Sequence, residues 1–329
     1  MEYQRLPQPE TVEGATRRVG VELEFAGLPA DVVAKAVADW CGGRIEQTAP
    51  HAHRVVAGDD AYEVYLDMAL AHPKAGAEPE RIETKLSQVV GDAASIAVPV
   101  EIVTPPLAPA ALPRLDRLVA MLRAAGAGGT RDSVLYAHGM HLNVEAVEVG
   151  AAAIAPVLRA FVLVEDWLRQ IMQIDLTRRT FAFVDGFPIG YIDRAAAGDL
   201  ADGLVADYLA ENPTRNRSLD MTPLLALLDR EAVERALDGA KLKPRPTYHY
   251  RLPDCDLGRP GWTPARDWNL WVHLERIAAD AEAVSALAEG WKAHRAKILS
   301  SRADWRAEAG AVLAAHGLSW PGAVAEAAR

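Results

Sequence analysis

The chain has 329 residues, between one large domain and two of average size, so length alone leaves the domain count open. Half of the residues are hydrophobic, enough for a sizeable core, and a formal net charge of −10 argues against nucleic acid or an anionic membrane as the main partner. The two cysteines, Cys41 and Cys255, form neither a metal spacing nor a disulfide framework, and Met1 to Arg5 carries no apolar leader core, so a reduced, cytoplasmic setting is expected. No apolar run reaches spanning length; the nearest, 151–174, is interrupted by Arg159, Glu165, Asp166 and Arg169.

Residues 1–16 are polar and proline-spaced and read as a flexible tail. A strand follows at 19–25, then a helix over 29–40 that places Val32, Val33, Ala36, Val37 and Trp40 on one side and stops at Gly42-Gly43. Strands over 44–48, 53–57 and 62–67 form an antiparallel meander, and a helix over 79–97 reads as an insertion before the strand at 98–103. Further on come a helix over 109–125, a strand over 139–145 and a long helix over 151–174. The loop-rich stretch 175–220 holds Arg178, Arg179, Arg194, Arg215 and Arg217, with short helices expected over 199–210 and 222–237. After a strand at 247–252, the chain from 267 onward is helical, with Trp268, Trp271, Trp291 and Trp305 as packing anchors. Strands grouped early, with helices between and after them, indicate an α+β fold: a catalytic domain over 17–265 with the helical segment 266–329 packed on it.

The strands carry an unusual polar face. In the first, Val21, Leu23 and Phe25 point one way and Glu22 and Glu24 the other. Glutamate is a poor strand residue and two on one face repel, so the pair marks either an edge facing water or a divalent cation. The pattern recurs with Glu63 and Asp67, with Glu101 ahead of Thr104-Pro105-Pro106, with His141, Asn143 and Glu145, and with His249 and Arg251. If these strands share one sheet, its polar face is a cation and phosphate site. His141 reads equally as a histidine hydrogen-bonded across the sheet, Glu63 as a supporting or exposed acid, and Arg215 and Arg217 equally as solvated loop residues. The His51-Ala52-His53 pair reads as structural, and neither cysteine sits in a Cys-His arrangement.

Taken together, the segments 20–25 and 101–107, supported by 139–144, 215–221 and 248–251, resemble the amidoligases of the carboxylate-amine ligase superfamily, which share a fold with glutamine synthetase and glutamate-cysteine ligase. The resemblance covers about 17–274. It implies an antiparallel sheet forming a glutamine synthetase-like funnel, with ATP and magnesium (Mg) against its polar face. It also implies amide or isopeptide bond formation between a carboxylate and an amine through an acyl-phosphate, and an association with a glutamine amidotransferase-like protein.

By the same resemblance Glu22, Glu24, Asp67 and Glu101 are magnesium ligands, and His141 touches phosphate or metal. Arg251 contacts phosphate, and Arg215 clamps a substrate carboxylate or phosphate. Three positions depart from the pattern: Met68-Ala69 replaces a Gly-Ser after Asp67, Asn143 replaces a second histidine, and His249 replaces a glutamate. Asn143 can still donate a hydrogen bond, and the imidazole of His249 prefers softer ions than magnesium. Two alternatives stay open: a nucleotide- or metal-binding homologue without ligase chemistry, and a metal-dependent hydrolase.

Overall fold

Most stretches with period-two alternation are strands, although the one expected over 247–252 ends at Tyr250 and leaves Arg251 just beyond it. A computed structural model describes residues 1–66, 98–129, 138–174, 184–240 and 242–321. Asp67, Arg178, Arg179 and the helix expected over 79–97 lie outside the described residues.

Strands β1 (Val19–Phe25), β2 (Arg44–Ala49), β3 (Ala52–Ala57), β4 (Asp60–Leu66), β5 (Val100–Val103), β6 (Met140–Glu145), β7 (Leu219–Asp220) and β8 (Thr247–Tyr250) form one open sheet. Its order is β2-β3-β4-β5-β1-β6-β8-β7, with every pair antiparallel. The meander is therefore present, and β4 pairs directly with β5. The fold mixes α and β, as the grouping of strands suggests.

One sheet face is dry. Val19, Val21, Leu23 and Phe25 are fully buried, as are Val64, Ile102, Met140, Leu142 and Val144. Helix α1 (Ala30–Cys41) packs on β3 and β4 and ends at Gly42, whose backbone is left-handed at φ 71°. Its buried side is Ala30, Val33, Ala34, Val37 and Ala38, while Val32 is exposed. The face is thus rotated from the one expected, because the small alanines fit closest to the sheet and Trp40 turns aside to meet Tyr62 edge-on at 5.5 Å.

Helix α2 (Arg114–Ala124), preceded by a 3-10 turn at Pro109–Ala111, packs on α1. Helix α3 (Ala151–Met172) lies behind the other end of the sheet, with Phe161 edge-on to Tyr250 at 5.9 Å. Helices α4 (Ile189–Ala197) and α5 (Leu204–Glu211) follow; α4 was not foreseen in a stretch read as loop. The helix expected over 222–237 is two, α6 (Thr222–Leu225) and α7 (Arg230–Ala236), divided where Asp229 caps the second by accepting from the Ala232 amide.

Helices α8 (Ala265–Ala279), α9 (Ala281–Arg295) and α10 (Arg302–Ala315) complete the described chain. All four anticipated tryptophans are buried, and Trp271 packs on both Tyr248 and Tyr250 of β8. Two buried ion networks fix these helices. Arg17, at the entrance to β1, makes a bidentate pair with Glu275 at 2.7 and 2.9 Å, and Glu275 also accepts from the Trp271 indole. In the second, Glu165 of α3 takes Arg169, the Phe187 amide and the Ser218 hydroxyl as donors, with Arg302 of α10 3.5 Å away. Within the stretch 1–16, expected as a tail, the first residues lie against α8: the Trp268 indole donates to the Gln4 carbonyl, the Asn269 amide to the Glu2 carbonyl, and Leu6 is buried.

Candidate cation site

The second sheet face carries the acids, and the strand order brings them together. Across β1 and β5, Glu24 stands opposite Glu101; across β1 and β6, Glu22 stands opposite His141 and Gly20 opposite Asn143. Across β6 and β8, Asn143 faces His249, which in turn faces Asp220 of β7. Five adjacent strands thus contribute to one patch. Glu22, Glu24, Glu101, His141, Asn143 and His249 are each at most 8 % exposed, and Asp220 is fully buried.

Glu22 is the hub. Its Oε2 lies 2.8 Å from His141 Nδ1, and its Oε1 accepts from Asn143 Nδ2 at 2.7 Å. His249 Nε2 stands 3.7 Å from Oε2, and Arg245 Nη1 is 4.0 Å from Oε1. Glu24 Oε2 accepts from the Gly139 amide at 2.7 Å, which leaves Oε1 facing His141 Nε2 at 3.5 Å.

On the far side, His249 Nδ1 is 3.6 Å from Asp220 Oδ2, while Asp220 Oδ1 accepts from both the amide and the hydroxyl of Thr222. The His249 contacts are longer than hydrogen bonds. Both its ring nitrogens, Asn143 Oδ1 and Asp220 Oδ2 are buried without a hydrogen-bond partner.

Burial pushes the Glu22 carboxyl up, but the hydrogen bond from His141 and the nearness and charge of His249 and His141 outweigh it and hold that carboxyl well below its usual range. Burial likewise raises Asp220, yet His249 and Thr222 bring it below the ordinary carboxylate value. The two histidines part company. Burial pushes His141 down despite Glu24 and Glu22, whereas for His249 the pull of Asp220 and Glu22 overcomes burial and raises it. The Arg251 guanidinium lowers both, so its charge reaches this patch.

Arg251 also donates from Nη1 to the Arg215 carbonyl at 2.6 Å, and its amide donates to the Ser218 carbonyl, so β8 fastens the loop before β7. Arg215 itself is exposed and meets Arg251 through its backbone. Arg217 holds the loop from the other side through the carbonyls of Gly186 and Glu211. Glu63 pairs with Arg54 at 2.8 Å, and His53 is buried with the apolar face while His51 is exposed, so neither joins the patch. Two contributors were missed. Asp220 sits in a two-residue strand that shows no periodicity, and Arg245 lies ahead of β8 in a proline-flanked stretch.

Two groups of side chains could each hold an ion: Glu22, His141 and His249, and Glu24, Glu101 and His141, with the ligand atoms of each group within 4.8 Å of one another. A sheet face that gathers carboxylates, imidazoles and arginine has the donor set to hold a divalent cation. A family model described as "Putative amidoligase enzyme" matches residues 15–273, and the chain belongs to that family. No curated protein and no solved structure matches the chain significantly. No helix among the described residues is long and apolar enough to cross a membrane.

Proposed function

We propose that the protein is an ATP- and magnesium-dependent carboxylate-amine ligase, with the open sheet forming the wall of a glutamine synthetase-like funnel. One observation carries this reading: Glu22 and Glu24 of β1 and Glu101 of the neighbouring β5 are buried on one face of the sheet, with Glu24 directly opposite Glu101. Like charges directly opposite each other on adjacent strands are unfavourable, and a bound cation offsets that cost. The Glu24 and Glu101 carboxylates are hard oxygen donors and fit magnesium, which supplies charge neutralisation for the triphosphate when bound.

The chain's own residues then have definable tasks. Glu22, Glu24 and Glu101 hold the cations against the sheet. Arg251, whose charge reaches both histidines, offsets the negative charge of the transferring phosphoryl group, and Arg245 adds a second guanidinium beside Glu22. Bringing a substrate carboxylate onto a triphosphate is disfavoured by repulsion, so the site contributes chiefly positioning and charge shielding. Attack of the carboxylate on the γ-phosphorus breaks the bond to ADP and gives an acyl-phosphate, from which an amine displaces phosphate and loses a proton. Arg251 and Arg217 fasten the loop 215–218, and this reading assigns that loop to the border of the acid-binding end.

The histidines motivate a second reading, a metal-dependent hydrolase built on Glu22, His141 and His249. An assay separates the two. The full chain, with magnesium, ATP and pooled carboxylic acids and amines, is expected to release ADP and phosphate only when acid and amine are both present. Ester or amide cleavage without ATP, fastest with transition metals, would contradict the ligase reading.

A further inference from the structure

The two imidazoles of the patch are arranged alike. Each turns one nitrogen toward Glu22 Oε2: His141 Nδ1 at 2.8 Å and His249 Nε2 at 3.7 Å. Each turns its other nitrogen toward a second carboxylate: His141 Nε2 toward Glu24 Oε1 at 3.5 Å, His249 Nδ1 toward Asp220 Oδ2 at 3.6 Å. That is the geometry in which an outer carboxylate fixes the tautomer of a metal-binding histidine and leaves the inner lone pair for the ion.

The unused hydrogen-bonding capacity falls in the same place. His249 is 94 % buried by its 6 % exposure, and neither ring nitrogen has a hydrogen-bond partner; nor does Asp220 Oδ2, in a fully buried residue. Thr222 pins Asp220 by its other oxygen, so the carboxylate is fixed in orientation toward the ring. Leaving buried polar atoms unsatisfied is costly, and a cation between Glu22 and the two rings would satisfy His249 Nε2 and leave Nδ1 to carry its proton toward Asp220 Oδ2.

We propose that Glu22, His141 and His249 form a seat for one borderline divalent cation, of the manganese or zinc class, adjoining the all-oxygen Glu24 and Glu101 side. Asp220 and Glu24 orient the two imidazoles. One carboxylate with two nitrogens favours such an ion over magnesium, which takes oxygen ligands and keeps its waters. A neutral imidazole has a single lone pair, so His141 serves this seat through Nδ1 and leaves the neighbouring one to carboxylates. The inference rests on reading the face as a cation site, and does not require ligation to be the reaction.

The test uses metal-free full-length protein and manganese alone, without nucleotide, acid or amine. Manganese is expected to bind at least about tenfold more tightly than magnesium, with pulsed electron paramagnetic resonance showing coupling to two imidazole nitrogens. His249→Gln should remove one of the two couplings, and Asp220→Asn should weaken manganese binding by roughly 10- to 100-fold. Glu24→Gln should keep both couplings. Equal affinity for the two metals, or manganese bound with no nitrogen coupling in the unsubstituted protein, would overturn the seat, and neither result needs a variant that folds. Couplings unchanged by His249→Gln would overturn it as well. Nitrogen-bound manganese together with no ADP formation in the ligase assay would sustain the seat and remove the ligase reading alone.

Discussion

Glu24→Gln should abolish ATP-dependent turnover, by at least roughly 100-fold, while the metal-free protein melts at the same temperature or slightly higher. Both halves follow from the register. Glu24 lies opposite Glu101 on adjacent antiparallel strands, and both are buried. Like charges directly opposite on adjacent strands are unfavourable, so removing one of them should not weaken the metal-free fold. The glutamine keeps an oxygen for the Gly139 amide, which holds Glu24 Oε2 at 2.7 Å, so the backbone at that point stays satisfied. The charge that holds a cation is lost and the shape is kept. Activity and thermal melting measured on the same preparation would check the pair of effects. Turnover unchanged by the substitution would remove Glu24 from the site.

The second large effect is on stability. Glu165→Gln should destabilise the fold by about 3 kcal/mol at neutral pH. Glu165 is fully buried, and its carboxylate is bonded to Arg169, to the Phe187 amide and to the Ser218 hydroxyl, with Arg302 beside it. Glutamine keeps one acceptor oxygen where the carboxylate has two, so it cannot accept from both the Phe187 amide and the Ser218 hydroxyl, and it leaves two guanidinium groups facing a neutral amide.

A pH dependence follows from the same network. Burial raises the Glu165 carboxyl, and Arg169, Arg302, Ser218 and Phe187 more than offset it, so its folded value lies below the ordinary glutamate range. The folded state therefore binds this proton less readily than the unfolded chain. The stabilisation is complete above about pH 4.5, where the unfolded carboxyl is ionised, and is lost as pH falls through the lower folded value. Urea midpoints measured between neutral and acid pH should fall more gently for Glu165→Gln than for the unsubstituted protein. Parallel curves would contradict the assignment.

This network also reaches toward the cation patch. Ser218, held by Glu165, offers its carbonyl to the Arg251 amide, and Asp220 follows two residues later. The C-terminal helix α10 contributes Arg302 to the same point, which links the helical end of the chain to the loop that shapes the site.

The acids of the first strands were legible because a strand's two-residue repeat is local. Once Val21, Leu23 and Phe25 are buried, Glu22 and Glu24 have to share the opposite face. The same holds for Glu101, His141, Asn143 and His249. Which strands are neighbours is a different matter, since pairing depends on contacts far apart in the chain. The resemblance supplied that expectation, and the order β5-β1-β6-β8-β7 brings the predicted faces together.

What escaped notice has physical causes too. Asp220 lies in a strand of two residues, too short for alternation to mark it, and owes its place to pairing with His249. The buried face of α1 was misjudged because hydrophobicity favours Val32 and Trp40, whereas close packing on β3 and β4 favours Ala30, Ala34 and Ala38. Helices α6 and α7 were merged because a polar Asp229 within a helical pattern looks like a surface position, though it caps a new helix. The His249 substitution was visible in the sequence, but its partnership with Asp220 was not.

The most direct test of the central claim is a crystal structure of the protein with manganese, magnesium and a non-hydrolysable ATP analogue. The account predicts anomalous manganese density against Glu22, further cation density against Glu24 and Glu101 at about 2.0–2.6 Å from their carboxylate oxygens, and phosphates facing Arg251. Carboxylates that stay free of cations while the nucleotide binds elsewhere would contradict it.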